Sequence, residues 1–121
     1  MCAGESSGHA VRPVDDEPYA GFNPGLQYCD ILATDAYSGY PQSHHDELAA
    51  LAQGKPMALG EVGTAPAPAI LKQQPKWIWF MIWTDFFDNN NKREELLELF
   101  KDPHTLSRGD VCRPLGQIEW P

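Results

Sequence analysis

The stretch from Lys55 to Gly63 reads KPMALGEVG, a short apolar run that carries a single carboxylate, Glu61, close to its end. Gly60 and Gly63 flank this acid, and a proline-rich loop over residues 64–68 follows it. Parallel α/β folds place their chemistry at the carboxyl ends of strands. The pattern therefore indicates a catalytic acid. The alternative interpretation is a strand-end carboxylate that binds nearby backbone amides.

Apolar strand patterns alternate with helical patterns on both sides of this stretch. Strands are predicted over residues 29–37, 57–62 and 77–83. Helices are predicted from a cap at Ser43 to Gly54, over residues 66–74 and over 92–101, and residues 84–91 are predicted to be a loop. This order predicts an α/β protein with a parallel sheet covered on both faces.

Strand alternation predicts which side chains meet. Met57, Leu59 and Glu61 are expected on one face of their strand, because successive side chains point to opposite faces. Tyr37, Glu61 and Trp83 all fall at carboxyl ends, so a closed sheet would bring them to one mouth. An acid, a tyrosine and a large ring together suit a sugar site. The alternatives are an ordinary strand-end tyrosine and a tryptophan that packs in the core.

Composition limits the classes of partner and of bound group. The 121 residues carry a net charge of −8, which argues against nucleic acid or an anionic membrane as the main partner. Neutral polysaccharides remain open. The run over residues 88–91 lacks the ligand spacing of a calcium loop and is expected to be loop and helix cap, and His44 and His45 are expected on a solvated face. No metal and no cofactor is expected.

The three cysteines, Cys2, Cys29 and Cys112, match no metal motif. Cys29 is interpreted as a small buried residue rather than a disulfide partner. Residues 1–20 are rich in glycine, serine, proline and acids and are predicted to be irregular or disordered, without the features of a signal peptide. Residues 112–121 are predicted to be an irregular tail.

The order of several motifs resembles the C-terminal part of glycoside hydrolase family 26, the β-mannanase family. The resemblance is carried by Asn23-Pro24-Gly25, by the strands 28–37, 55–63 and 79–83, by the loop Pro66-Ala67-Pro68 and by Leu106 to Asp110. It implies that residues 21–111 form about strands six to eight of a (β/α)8 TIM barrel. It also implies retaining hydrolysis of β-1,4-mannan, with Glu61 as nucleophile, Tyr37 hydrogen-bonded to it and Trp83 as a substrate platform.

The chain departs from the family pattern in one chemical respect. A retaining glycosidase needs a second carboxyl group as acid/base, and no histidine of this chain precedes a glutamate as the family motif requires. A complete barrel takes about 250 residues, so we expect a fragment that is inactive alone. Its unpaired barrel interior, including Ile31, Met57, Trp79 and Met81, is expected to face water and to promote self-association.

Other interpretations stay open beside the mannanase one. They are another specificity within the family, such as β-1,3-xylan or mixed-linkage glucan, a non-catalytic carbohydrate-binding remnant, and a small α/β domain with no role toward sugars. Because members of the resembled family are usually secreted, the parent enzyme is expected to be extracytoplasmic.

Overall fold

The computed structural model describes residues 25–111 of the chain. The predicted irregular segments 1–20 and 112–121 lie outside these residues. After a short 3-10 helix, Leu26–Tyr28, the described elements are β1 Leu32–Ala36, α1 Gln42–Ala52, β2 Met57–Val62, α2 Pro68–Gln73, β3 Trp77–Ile82, α3 Thr84–Asn89, α4 Arg93–Lys101 and α5 Arg108–Val111. Along this part of the chain, no helix combines the length and the apolar character that a membrane span requires.

The three strands form one parallel sheet in the order β1-β2-β3, as the βα alternation predicts. The pairing of β1 with β2 is irregular: Thr34 pairs with Leu59, but the next residue, Asp35, pairs with Glu61 and skips Gly60. Paired residues point to the same face of a sheet, and one extra residue reverses the alternation. The prediction that Glu61 shares a face with Met57 and Leu59 is therefore wrong.

Helix α1 packs against the sheet and forms the hydrophobic core. Leu48 and Ala52 lie in one buried cluster with Cys29, Leu32 and Met57. The helix begins two residues earlier than predicted, because Pro41 occupies the N-cap, where it makes no side-chain cap bond. Ser43 lies inside the first turn and is not the cap. The helix ends where Gln53 and then Gly54 adopt positive φ angles of 50° and 92°, as Gly54 predicts.

The segment between β3 and α4 is helical, so the prediction of a loop over residues 84–91 is wrong. Helix α3 begins directly after Trp83, has Asp85 in its first turn and carries two aromatic side chains, Phe86 and Phe87. Phe86 packs on Tyr37 and Phe87 on Phe100, with ring centroids 5.7 and 6.4 Å apart. This packing outweighs the preference of the Asp and Asn residues for turns.

Three further expectations are corrected; they concern the barrel-interior residues, His45 and Cys29. Met57 is 1% exposed in the core and does not face water, while Ile31, Trp79 and Met81 are half-buried. His45 is 5% exposed and packs edge-on against Trp77 at 5.3 Å between ring centroids, so it does not lie on a solvated face. Cys29 is buried, as expected, but it is disulfide-bonded, so the interpretation that it is not a disulfide partner is wrong.

Candidate active site

Glu61 and Tyr37 meet at the carboxyl ends of neighbouring strands. Glu61 is the fifth residue of β2, and Tyr37 follows the last residue of β1. The Tyr37 hydroxyl donates a hydrogen bond to Glu61 Oε2. The register shift at Gly60 contributes to this contact, because it pairs Glu61 with Asp35 and turns it to the face of that residue.

Gly63 allows a close approach of the two strand ends. Its backbone N–H donates to the Ala36 carbonyl over 3.1 Å, which extends the pairing beyond the last residue of β2. A Cβ atom on this residue would lie 3.2 Å from Tyr37 Cδ1 and 3.4 Å from the Tyr37 carbonyl oxygen. The absence of a side chain at Gly63 therefore allows Tyr37 to pack closely against the residue that follows β2.

Trp83 and Phe86 complete the aromatic surroundings of Tyr37. Trp83 follows β3 directly, and both Trp83 and Tyr37 are 50% exposed. Phe86 makes an edge-on contact with Tyr37, at an interplanar angle of 66°. The sequence pattern missed Phe86, although a pair of phenylalanines in an otherwise polar segment was a signal of burial.

The surroundings of Tyr37 keep its hydroxyl protonated. Partial burial, the hydrogen bond to Glu61 and the negative charges of Glu61 and Asp35 raise the pKa of Tyr37 from 10.0 to about 12. A hydrogen bond from the Trp83 side chain partly opposes this rise. Tyr37 is therefore a neutral donor at any physiological pH, and it binds one oxygen of the Glu61 carboxylate.

The structure thus brings together the three residues that the sequence singles out, Glu61, Tyr37 and Trp83. Among residues 25–111, no group of three or more His, Cys, Asp and Glu side chains is placed to hold a metal ion. Chemically, the arrangement offers an oriented carboxylate, a neutral hydrogen-bond donor and an apolar surface open to solvent. A carboxylate held in this way can act as a nucleophile toward a polar ligand that stacks on the ring.

Comparisons with known proteins agree on one family. The family model described as glycosyl hydrolase family 26 matches residues 7–110. Mannan endo-1,4-beta-mannosidases from Bacillus subtilis and Thermothelomyces thermophilus are 35% and 33% identical over 103 and 96 residues, covering 74% and 73% of this chain. A solved structure described as GH26A from a Muricauda species has a TM-score of 0.76 at 42% identity and matches 84% of this chain.

These relatives are much longer than the matched region. The match covers 27% and 20% of the two mannosidases and 35% of the Muricauda chain. The chain therefore spans about a fifth to a third of the length of the proteins that it resembles.

Proposed function

Because the chain belongs to glycosyl hydrolase family 26, we propose that residues 25–111 form the part of a retaining β-1,4-mannanase that carries the nucleophile. The observation that supports this proposal most is the hydrogen bond from Tyr37 to Glu61 at the carboxyl ends of adjacent parallel strands. In this proposal β1, β2 and β3 are strands six, seven and eight of a (β/α)8 barrel. Their parallel order is consistent with consecutive barrel strands.

Glu61 then attacks the anomeric carbon of a mannosyl unit and forms a covalent glycosyl-enzyme intermediate, while the bond to the leaving oxygen breaks. Tyr37 donates to Glu61 Oε2, so it orients the carboxylate and leaves Oε1 to attack. Because Tyr37 stays protonated, this donor persists over the working pH range. The exposed Trp83 ring stacks on a sugar face beside the cleaved bond.

Hydrolysis also needs a carboxyl group that first protonates the leaving oxygen and then activates water. No residue of this chain matches the acid/base motif of the family, and the chain covers 20–27% of its mannosidase relatives. We propose that a segment outside this sequence supplies the acid/base and that the chain alone does not hydrolyse mannan.

The exposed Trp83 and Tyr37 rings support a second candidate, a role in binding a glycan without cleaving it. Stacked aromatic rings need no carboxylate, so this role would not depend on Glu61. β-1,3-xylan and mixed-linkage glucan remain alternative ligands for either role, since subsites built by other strands decide among them.

Affinity electrophoresis in gels that contain mannan, β-1,3-xylan or mixed-linkage glucan tests these roles. We expect retardation by mannan that Trp83→Ala reduces, and no release of reducing sugar by the isolated chain. If β-1,3-xylan or mixed-linkage glucan retards the chain and mannan does not, that glycan replaces mannan as the proposed ligand. Release of mannose oligomers by the isolated chain would contradict the proposal that the acid/base lies elsewhere.

We further propose that the isolated chain self-associates. Both β1 and β3 are edge strands of the described sheet, and unpaired edges pair readily with a second copy. Ile78 on β3 and Leu97 and Phe100 on α4 are exposed and apolar. Light scattering after size exclusion is expected to give a mass above 13.5 kDa, and a strictly monomeric mass at all concentrations would refute the proposal.

An extracytoplasmic location of the parent enzyme is also a proposal. It is supported by the disulfide at Cys29, because structural disulfides persist in oxidising compartments. Thiol alkylation of the unfolded protein, in denaturant without a reductant, is expected to leave Cys29 unmodified. Its alkylation under these conditions would remove this support.

A further inference from the structure

Two asparagines after α3 bind the loop that follows Glu61. Asn90 Nδ2 donates to the Gly63 carbonyl over 3.1 Å. Asn91 Oδ1 accepts from the Ala65 backbone N–H over 2.8 Å, and Asn91 Nδ2 donates to the Phe86 carbonyl over the same distance. The run caps a helix as expected, but the helix is the preceding one: Asn90 is the C-cap of α3, whereas Lys92 occupies the N-cap of α4.

These bonds replace the pairing that the sheet no longer provides. Strand β2 ends at Val62, so the backbone groups of the next residues need other partners. A side-chain amide offers an acceptor and two donor hydrogens in one plane. The side-chain amide of Asn91 accepts from Ala65 through Oδ1 and donates to Phe86 through Nδ2. It therefore links the loop after β2 to helix α3 by two hydrogen bonds to backbone groups.

The bridge closes a ring of contacts around the proposed nucleophile. On one side, the loop held by Asn90 and Asn91 begins two residues after Glu61, at Gly63. On the other, Phe86 packs on the ring of Tyr37, whose hydroxyl donates back to Glu61. The opposite side of the loop is also fixed, since the Tyr40 hydroxyl donates to the carbonyl of Thr64.

We propose that Asn90 and Asn91 are positioning residues that hold Glu61 and Tyr37 in place relative to Trp83. The catalytic part of this inference rests on the proposed function, in which Glu61 is the nucleophile. The geometric part, that the two asparagines fix the positions of these side chains, does not depend on that function. A carboxylate that must meet an anomeric carbon needs a narrow range of positions, and a loop bonded on both sides provides it.

The geometric part is tested by nuclear magnetic resonance on the whole chain. Loss of the Asn91 bonds in Asn91→Ala should speed exchange of the Ala65 amide by about fivefold, since a hydrogen bond contributes about 1 kcal/mol. The Trp83 indole signal, assigned by its absence in Trp83→Phe, should shift in Asn91→Ala and Asn90→Ala. Asn89→Ala is the matched control, because Asn89 is exposed in the same run. Unchanged exchange and an unmoved indole signal would overturn the inference.

The catalytic part is tested with a 2-deoxy-2-fluoro-β-mannosyl probe that carries a dinitrophenyl leaving group, which departs without an acid catalyst. Asn91→Ala is expected to label about tenfold more slowly than the wild type. Asn91→Asp keeps the acceptor for Ala65 but loses the donor to Phe86, so an intermediate rate is expected. Asn89→Ala should label at the wild-type rate.

The outcomes separate the two proposals. If the wild type does not label while the Ala65 exchange and the indole signal respond, the proposed function fails and the positioning geometry stands. If all variants label at the wild-type rate, Asn90 and Asn91 do not position the site. Asn90→Ala loses only the side-chain hydrogen bond to the Gly63 carbonyl. The same measurements are made on this variant if Asn91→Ala does not fold.

Discussion

The replacement of Gly63 by alanine probes the closest approach in the candidate site. The new Cβ would lie 3.2 Å from Tyr37 Cδ1, 3.4 Å from its carbonyl oxygen and 3.5 Å from its Cα. Carbon atoms pack best at about 3.5–4.0 Å, so Tyr37 must move by a few tenths of an ångström. Two of these three contacts involve backbone, which cannot swing aside as a side chain can.

The expected magnitude follows from two opposing terms. Overpacking of this kind costs about 1–3 kcal/mol. Alanine also reduces the conformational entropy of the unfolded chain relative to glycine, which stabilises the folded state by about 0.4–1 kcal/mol. A net loss of about 1 kcal/mol should lower the melting temperature by about 3–5 °C in a chain of this size. Because the ring moves away from Glu61, the pKa of Tyr37 should also fall from about 12 toward its ordinary value.

Thermal unfolding followed by circular dichroism measures the first effect, and near-ultraviolet titration of tyrosinate absorbance measures the second. Gly109→Ala is the control, because among the described residues its new Cβ would meet only Ser107 Oγ, at 3.7 Å. This variant should melt at or slightly above the wild-type temperature. If Gly63→Ala melts no lower than the wild type and its tyrosine titration is unchanged, the close approach of Gly63 to Tyr37 does not hold the site.

Three further predictions concern the same protein. The folded-state pKa of Tyr37 is raised above 10.0, so the stabilisation from its neutral hydroxyl is complete below pH 10 and should be lost as the pH approaches 12; the difference in stability between wild type and Tyr37→Phe, measured by denaturant at each pH, should shrink over that window. Leu48→Ala should cost about 2–5 kcal/mol in denaturant unfolding, since Leu48 is fully buried in the α1 core, and a loss well under 1 kcal/mol would refute that packing. Trp83→Ala should reduce retardation in a mannan gel without lowering the melting temperature by more than a few degrees, because the ring is half exposed; a large drop would indicate core packing instead.

The sequence predicts the sheet and most helices because their signals are local. The apolar run of β2 falls at Met57–Val62, as predicted, and Gly54 and Pro103 mark helix ends that the structure keeps to within a few residues. The failures come from contacts between distant segments. Helix α3 has turn-forming residues and is held by Phe86 against Tyr37, a contact that no local pattern contains.

The candidate site was predictable as a set of residues but not in its geometry. Glu61, Tyr37 and Trp83 stand at strand ends, where chain order alone brings them near one another. The bulge at Gly60 changes the face on which Glu61 lies, and strict alternation cannot anticipate a skipped residue. The contacts of Asn90 and Asn91 could not be predicted either. A run of asparagines indicates a turn, but it does not show that the side chains bind the loop at Gly63 and Ala65.

We propose that Glu61 is the nucleophile of a retaining β-mannanase. The most direct test of this proposal is peptide mass spectrometry of the wild-type chain and of Glu61→Gln after incubation with the 2-deoxy-2-fluoro-β-mannosyl probe. We predict one added fluoromannosyl group on the wild-type peptide that contains Glu61, and none on Glu61→Gln. A label on Asp35 or Asp85 instead, or equal labelling of both proteins, would show that Glu61 is not the nucleophile.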